Sequence, residues 1–430
     1  MRMSKAFLAL LFVFSSLIPT AHATEIPATF SFQGSGYGHG VGLSQMGARS
    51  MALAGQSFEQ IIQYFYKDVA IEQKDDSKIL RVNIGHLLSS AKISSTVKGS
   101  QLQIIQGDMG SESVIPVFSL ADSVSFSIIG STVSPRITLG KTSQVLPRSR
   151  VFTIRWAGTR YLEGPDTVIS VNHSALTQKY RYGQIQVKAV KSPSGYRIEM
   201  TNSVRLADEY LWGVSEMPSF WPNAALEAQA IASRTYALSK AGIYRTVCDC
   251  DLYGSISDQT FLGYAKEIEK KYGVIWKEII TRTAGLTITQ SGLPITAYFF
   301  SSSGGKTELA INAWGSSRAY TQIVDDPGSL DLILNPRFVT WSREVPQSVI
   351  AAAFVLPDVV SLEILGVNES GTVAQIQATS STGVQVALRG EIFRSRTKIP
   401  SAWFSLVSVQ NRIKPAPSTS AANCFKCTIK

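Results

Sequence analysis

Histidine is scarce: four in 430 residues, one of them, His22, inside the apolar leader. The remainder, His39, His86 and His173, stand far apart in sequence, and no H-E-x-x-H pair occurs, which argues against a histidine-rich metal centre. Phosphate loops are missing too. The glycine-rich stretch 34–48, GSGYGHGVGLSQMGA, fails G-x-G-x-x-G in every frame because Val41 or Leu43 falls where the last glycine belongs, and no Gly-Lys-Ser/Thr follows. Nucleic acid is excluded as a partner, since no dense Lys/Arg run is interleaved with aromatics. Apart from residues 6–18, no apolar run approaches the ~20 residues of a membrane span. That run follows Arg2 and Lys5 and precedes Ala21-His22-Ala23, so it reads as a secretory signal peptide cleaved after Ala23. The mature chain is therefore expected to be exported, with no membrane span.

Cysteine is equally sparse. The four residues fall as Cys248-x-Cys250 and Cys424-x-x-Cys427. In an exported chain an even number favours disulfides, and four allow three connectivities. A Cys248–Cys250 bridge is expected to be strained, because one residue separates the two Cα atoms. One or two bridges stapling the C-terminal tail to the 248–250 loop are favoured instead. A four-thiolate zinc site is the lesser alternative, since zinc pairs are usually spaced by two or more residues.

What is present is basic charge and two kinds of periodicity. The chain carries 41 Lys+Arg against 31 Asp+Glu, and removing residues 1–23 leaves 39 against 31. Such a balance in an exported chain suits an anionic surface such as a cell wall. Residues 44–54 read as a helix stopped by Gly55, and Ser57 with Gln60 reads as a capping box opening a second helix. From 79 to 204, short β-branched runs (79–84, 124–129, 151–156, 185–190) separated by Gly, Pro, Ser and Asp predict a sheet-rich lobe. Pro222 fits the first turn of a long helix ending near Lys240, and another helix is expected over 268–283. Strands are expected to dominate thereafter, at 295–300, 361–365, 372–377 and 385–388. A Pro/Ser/Ala-rich tail follows from 414. The fold class is α+β.

Two stretches invite chemistry. Glycine at every second position from Gly34 to Gly42 strips one face of a strand, which calls for close approach of a ligand or another backbone. In EYLWGVSEMPSFWPNAALEAQAIASRTYAL, residues 209–238, Glu216 lies among apolar residues on a turn before the Pro222 helix. Desolvation there would raise a carboxyl pKa, and a protonated carboxylic acid is what glycosidic cleavage needs at the leaving oxygen. A surface glutamate beside a helix N-terminus would instead be lowered. The serine run SSSGGKTE, 301–308, lacks a G-x-S-x-G elbow and reads as a turn or a polar substrate contact.

Three of these blocks, GYGHGVGLSQMGARSMALAGQSFEQIIQYFY, EYLWGVSEMPSFWPNAALEAQAIASRTYAL and AYFFSSSGGKTE, resemble the signature blocks of the SpoIID/LytB family. DQTFLGY at 258–264 resembles a fourth, and RYGQIQV at 181–187 resembles the strand leading to the glutamate block. The order differs: the GHGVG block, last in the usual arrangement, is first here, while SAWFSLVSV at 401–409 resembles the segment that normally runs into it. The resemblance thus implies a circular permutation, with 401–409 beside 29–36 because cut termini must lie close together. It implies a SpoIID-like domain over 24–413, made of the GHGVG block 34–66, the lobe 79–204, the catalytic block 206–345 and strands 346–410, followed by the tail 414–430. It also implies a lytic transglycosylase of peptidoglycan glycan strands. Glu216 would be the single acid/base, acting in a central cleft with substrate contacts from His39, Gln45, Arg234, Gln259, Ser302, Ser303 and Gly304. The bare glycine face would admit a sugar chain or the glutamate loop. No cofactor is required. Cys248 and Cys250 match only loosely the region where some relatives hold a structural zinc. The rival expectation is a secreted, wall-associated modifier that stimulates an amidase.

Overall fold

The computed structural model describes residues 26–412 apart from 98, 99, 101, 111–114, 119–120 and 175. The leader and the tail bearing Cys424 and Cys427 lie outside the described residues. The architecture is mixed α+β, built around one large and one smaller hydrophobic core.

The smaller core draws on both ends of the described chain. Strand Pro27–Gly34 lies between Trp341–Pro346 and Phe404–Arg412, antiparallel to both. Register runs from Gly34 opposite Phe404 to Pro27 opposite Arg412. Strand side chains alternate between faces, so Phe30 and Phe32 point together into a cluster with Trp341, Phe354, Phe393 and Phe404. Helices Gln347–Phe354 and Gly390–Thr397 cover it, beside the sheet Ser361–Val367, Val373–Thr379, Gln385–Arg389.

The lobe 79–204 forms two largely antiparallel sheets, the first of them extended by the short strand Leu252–Tyr253, which pairs parallel to Ile79–Leu88. One has seven strands, with Ile79–Leu88, Gly195–Arg205, Gln184–Ser192 and Val151–Trp156 adjacent in that order. The other has six strands and runs from Thr142–Val145 through Ser123–Ile129 and Ser90–Ser95 to Leu176–Tyr180. Alternation drives Ile93, Val124, Phe126 and Val171 into the large core and leaves Lys92, Ser125 and Asn172 on the other face.

Helices complete the large core. Helix α1 (Gln45–Leu53) is N-capped by Ser44, whose hydroxyl accepts from the Gly47 N–H. Helix α2 (Phe58–Phe65) carries the expected Ser57/Gln60 capping box. Helix α3 (Asn223–Lys240) begins directly after Pro222, and twelve of its eighteen residues are buried. Small alanines let α1, α2 and helix Gly273–Arg282 approach α3 from several sides.

Several expectations change. The 268–283 helix is only Gly273–Arg282, preceded by the short turn Tyr264–Glu267, because Lys270 takes a positive φ of 47° and breaks the run. The strand at 295–300 shrinks to Phe299–Phe300, since the Tyr298 carbonyl is taken by the Leu43 N–H and the Tyr66 hydroxyl. The cysteine pairing is also corrected. Cys248 bonds Cys250, with Cα atoms 5.2 Å apart, inside the usual range for a disulfide. Asp249 makes this geometry by adopting φ of 53°. The Cys248–Cys250 bridge leaves neither sulfur free to staple the tail or ligate zinc.

Candidate functional site

Glu216 sits on a turn fixed by a short two-stranded contact. Val214 bridges Phe261, the Ser215 N–H donates to the Thr260 carbonyl at 2.8 Å, and the Leu262 N–H donates to the Gly213 carbonyl at 2.8 Å. This ladder aims the Thr260 N–H at Glu216 Oε1. The Thr260 hydroxyl and the Gln45 amide also hydrogen-bond to the carboxylate. Glu216 is partly buried, so it keeps a face open while losing much of its hydration. Burial raises its pKa, and the donors from Thr260 and Gln45 only offset part of that rise.

Beyond Met217 the turn is tied down from the other side. Buried Lys266 donates to the Met217 carbonyl at 2.8 Å and to Glu269 at 2.7 Å, while the Ser219 hydroxyl donates to Glu269 at 2.6 Å. Burial lowers the Lys266 pKa. Phe220 projects 56% exposed against Tyr272, and Trp221 carries the Arg49 guanidinium 4.9 Å above its ring.

Beneath Glu216 runs a buried polar chain that spans three elements. Gln45 Nε2 of α1 donates to Gln229 Oε1 of α3 at 3.2 Å, and Gln229 donates to the Ser233 hydroxyl at 3.0 Å. Gln259 Nε2 donates to the Ser233 carbonyl at 3.3 Å and Gln259 Oε1 accepts from the Tyr210 hydroxyl at 2.7 Å. Satisfied networks of this kind fix geometry. The chain thus holds Gln45 and the 258–262 segment in place around the carboxylate.

Of the expected site residues, only Gln45 meets Glu216. Gln259 is fully buried in the network just described, and its neighbour Thr260 makes the contact. Arg234 is engaged by the fold. It is 0% exposed, pairs with Asp76 at 2.8 Å and donates to the carbonyls of Ile280 and Leu286. Ser303 and Gly304 are likewise spent on the fold. The Ser303 hydroxyl donates to Asp326 at 2.7 Å, and a Cβ on Gly304 would lie 2.3 Å from the Trp403 ring. Ser302 is buried with its hydroxyl unpartnered, and its backbone bridges Tyr37.

The bare glycine face is filled by protein rather than by sugar or the glutamate loop. A Cβ on Gly42 would stand 2.1 Å from the Tyr298 carbonyl oxygen, and one on Gly36 would stand 2.7 Å from the Ser303 carbonyl carbon. Both residues hold positive φ, near 80°, which glycine alone adopts at low cost. The segment 298–308 therefore docks edge-on into the loop. His39 locks this contact. Its Nδ1 accepts from the Val41 N–H at 3.0 Å, and its ring packs 5.0 Å from Trp314 and 5.8 Å from Phe300. Burial, with Arg394 nearby, lowers its pKa to about 3, so it is neutral at physiological pH.

The sequence profile of SpoIID, described as Stage II sporulation protein, matches residues 194–289, the stretch that contains Glu216 and Thr260. Over residues 194–289 the chain is thus similar to the SpoIID family. It is similar to Stage II sporulation protein D of Bacillus subtilis (strain 168), 29% identical over 219 residues, covering 46% of this chain and 59% of that protein. Stage II sporulation protein D of Bacillus amyloliquefaciens is 30% identical over 220 residues, again 59% of its length. The Amidase enhancer of Bacillus subtilis (strain 168) is 34% identical over 106 residues, 25% of this chain and 13% of that protein. The match thus spans less than two thirds of the first two relatives. Within the SpoIID segment Lys266, Gln229 and Ser233 escaped the sequence reading, having only ordinary helical or loop spacing. Gln45 and the 298–308 segment join from outside it. Among the described residues no helix is long and apolar enough to cross a membrane, and no cluster of three metal-ligating side chains occurs.

Proposed function

We propose that this chain is exported through its 1–23 leader and cleaves peptidoglycan glycan strands as a lytic transglycosylase. Glu216 is the single acid/base, acting in a cleft on its open side. The observation that carries this is one carboxyl group, partly buried with a raised pKa, gripped by the Thr260 N–H and the Gln45 amide. In its acid form, Glu216 gives its proton to the MurNAc–GlcNAc linkage oxygen as the glycosidic bond breaks. The resulting carboxylate then takes the proton of the MurNAc C6 hydroxyl as that oxygen bonds C1, closing a 1,6-anhydro ring. The substrate supplies the nucleophile, so no second carboxylate and no cofactor is needed. The pairing of Pro27–Gly34 with Phe404–Arg412 supports a circular permutation, since joining residue 412 to residue 27 would complete an antiparallel hairpin.

A second reading is favoured by the 34% identity to an amidase enhancer: the same surface binds wall glycan and stimulates an amidase without turnover. Mass spectrometry of glycan products separates the two. Anhydro-MurNAc ends made by the wild type and absent with Glu216→Gln support the transglycosylase. Reducing ends would indicate hydrolysis by water. Absence of products, with amidase stimulation preserved in Glu216→Gln, would support the modifier.

A further inference from the structure

The outward face of the six-stranded sheet is a hydroxyl grid carrying cations that form no ion pair among the described residues. In the sheet register, Asn172 lies opposite Lys92, Lys92 opposite Ser125, Ser125 opposite Arg136 and Arg136 opposite Val145. Opposed residues share a face, so these five form one row across the sheet. A parallel row, two residues along each strand, is Ser90, Ser127 and Ser134. On the other side of the row lie Ser94, Ser123 and Thr138, with Ser170 opposite Ser94. A sheet face left to solvent normally mixes both signs of charge. Here Ser123 and Ser134 are buried, the other hydroxyls are half-buried or exposed, and the charges the face carries are all positive.

A cavity of about 570 Å³ opens over the grid, and Arg148 and His173 join its wall. None of the described residues lining it is acidic. Lys92, Arg136 and Arg148 form no ion pair among the described residues. On the neighbouring seven-stranded sheet, by contrast, Lys188 and Arg81 both reach Asp249. His173 Nε2 is buried without a hydrogen-bond partner. Lys92 and Arg136 stand two strands apart, about 10 Å at ordinary strand spacing. One doubly charged head group would use cations side by side. Single cations set apart among hydroxyls suit a polymer with one anionic group per repeat and many hydroxyls between.

We propose that this face binds a carboxylate-bearing polysaccharide strand, a second contact of the chain with its polymer, remote from Glu216. The choice of a glycan rests on the cell-wall reading above; the anionic character rests on the grid itself. No aromatic side chain in the two outer serine rows or the cationic row offers a stacking platform for bases.

The test is isothermal titration of the mature full-length chain with oligogalacturonate, a soluble carboxylated glycan, at low salt. The wild type is expected to bind, and to bind more weakly as salt is raised. Lys92→Ser/Arg136→Ser/Arg148→Ser should weaken binding about ten-fold, while Arg136→Lys alone retains it. The three side chains are exposed, so a melting temperature equal to wild type is expected and is checked alongside. Glu216→Gln should bind like the wild type, which keeps this result separate from the fate of the catalytic reading. Absence of binding overturns the proposal. So does equal affinity for neutral dextran, stronger binding of polyphosphate or anionic vesicles, or unchanged affinity in the folded triple variant.

Discussion

Glu216 and Glu308 both lie in signature blocks of this chain, and their surroundings are opposite. Glu308, at the end of the serine run, is 2% exposed and accepts from five donors. These are the Leu309 N–H, the side-chain amides of Asn312 and Asn368, and the hydroxyls of Ser370 and Thr372. Every lone pair that matters is engaged, and the residue ties the 298–308 segment to the loop of the smaller core. Glu216 has an open side, and its donors approach from Thr260 and Gln45 only. One carboxylate is spent on holding the molecule together; the other retains the freedom to exchange a proton. Presence in a motif does not separate these roles, but the count of donors does.

The sharpest way to break the contrast is to make both residues neutral. Glu216→Gln keeps an acceptor for the Thr260 N–H and removes the proton. Product formation is expected to fall by at least about 10²–10⁴, the usual contribution of a positioned acid, with glycan products counted by mass spectrometry. The variant should melt no lower than the wild type at neutral pH. A carboxyl whose folded pKa is raised contributes stability below its unfolded pKa and loses it as pH rises through the folded one. Substitution by a neutral amide removes that loss.

Arg234→Met and Glu308→Ala should do the reverse. Removing Arg234 leaves Asp76 without its buried partner, at about 3–5 kcal/mol. Removing Glu308 leaves its donors without an acceptor, at about 2–3 kcal/mol. Denaturant titration would read both losses. Turnover per folded molecule and KM should stay near wild type. A raised KM in Arg234→Met with unchanged stability would restore that residue to the substrate site.

Much of this contrast was hidden in the sequence for a physical reason. Local rules served well where the signal is local: Ser57 with Gln60 capped a helix, Pro222 preceded another, and short β-branched runs between turn residues marked the strands of 79–204. Glycine alternation announced a close approach, but nothing near Gly42 names Tyr298 as what approaches. Helices Gln347–Phe354 and Gly390–Thr397 lack side-chain caps and are eight residues long, too short for periodicity to separate from strand. At the site, the backbone supplies what side-chain chemistry does not show. Gln259 attracts attention by its side-chain chemistry and lies in the buried polar chain, whereas the donor to Glu216 is the backbone N–H of its neighbour Thr260, which no residue type advertises.

The pH dependence sharpens the comparison further, because only Glu216 should control it. The first step needs the acid form, so activity should fall as pH rises through the raised pKa of Glu216, giving a high-pH limb later than for an ordinary glutamate. Glu308→Ala should leave that limb where it is.

The smallest effect expected comes from Gln45→Met, which removes one donor to Glu216 and keeps a similar volume at the start of α1. The Gln45 amide favours the charged form, so its loss raises the pKa again. The high-pH limb should therefore move upward, with a modest drop in maximum rate because the carboxyl is less firmly aimed. Loss of the Gln229 contact accompanies the change, and Gln229→Leu distinguishes the two causes. That second variant loosens the same buried chain without removing the donor to Glu216. It should lower stability and leave the limb in place. If both variants move the limb equally, the pKa of Glu216 is set by the whole polar chain beneath it rather than by Gln45 itself.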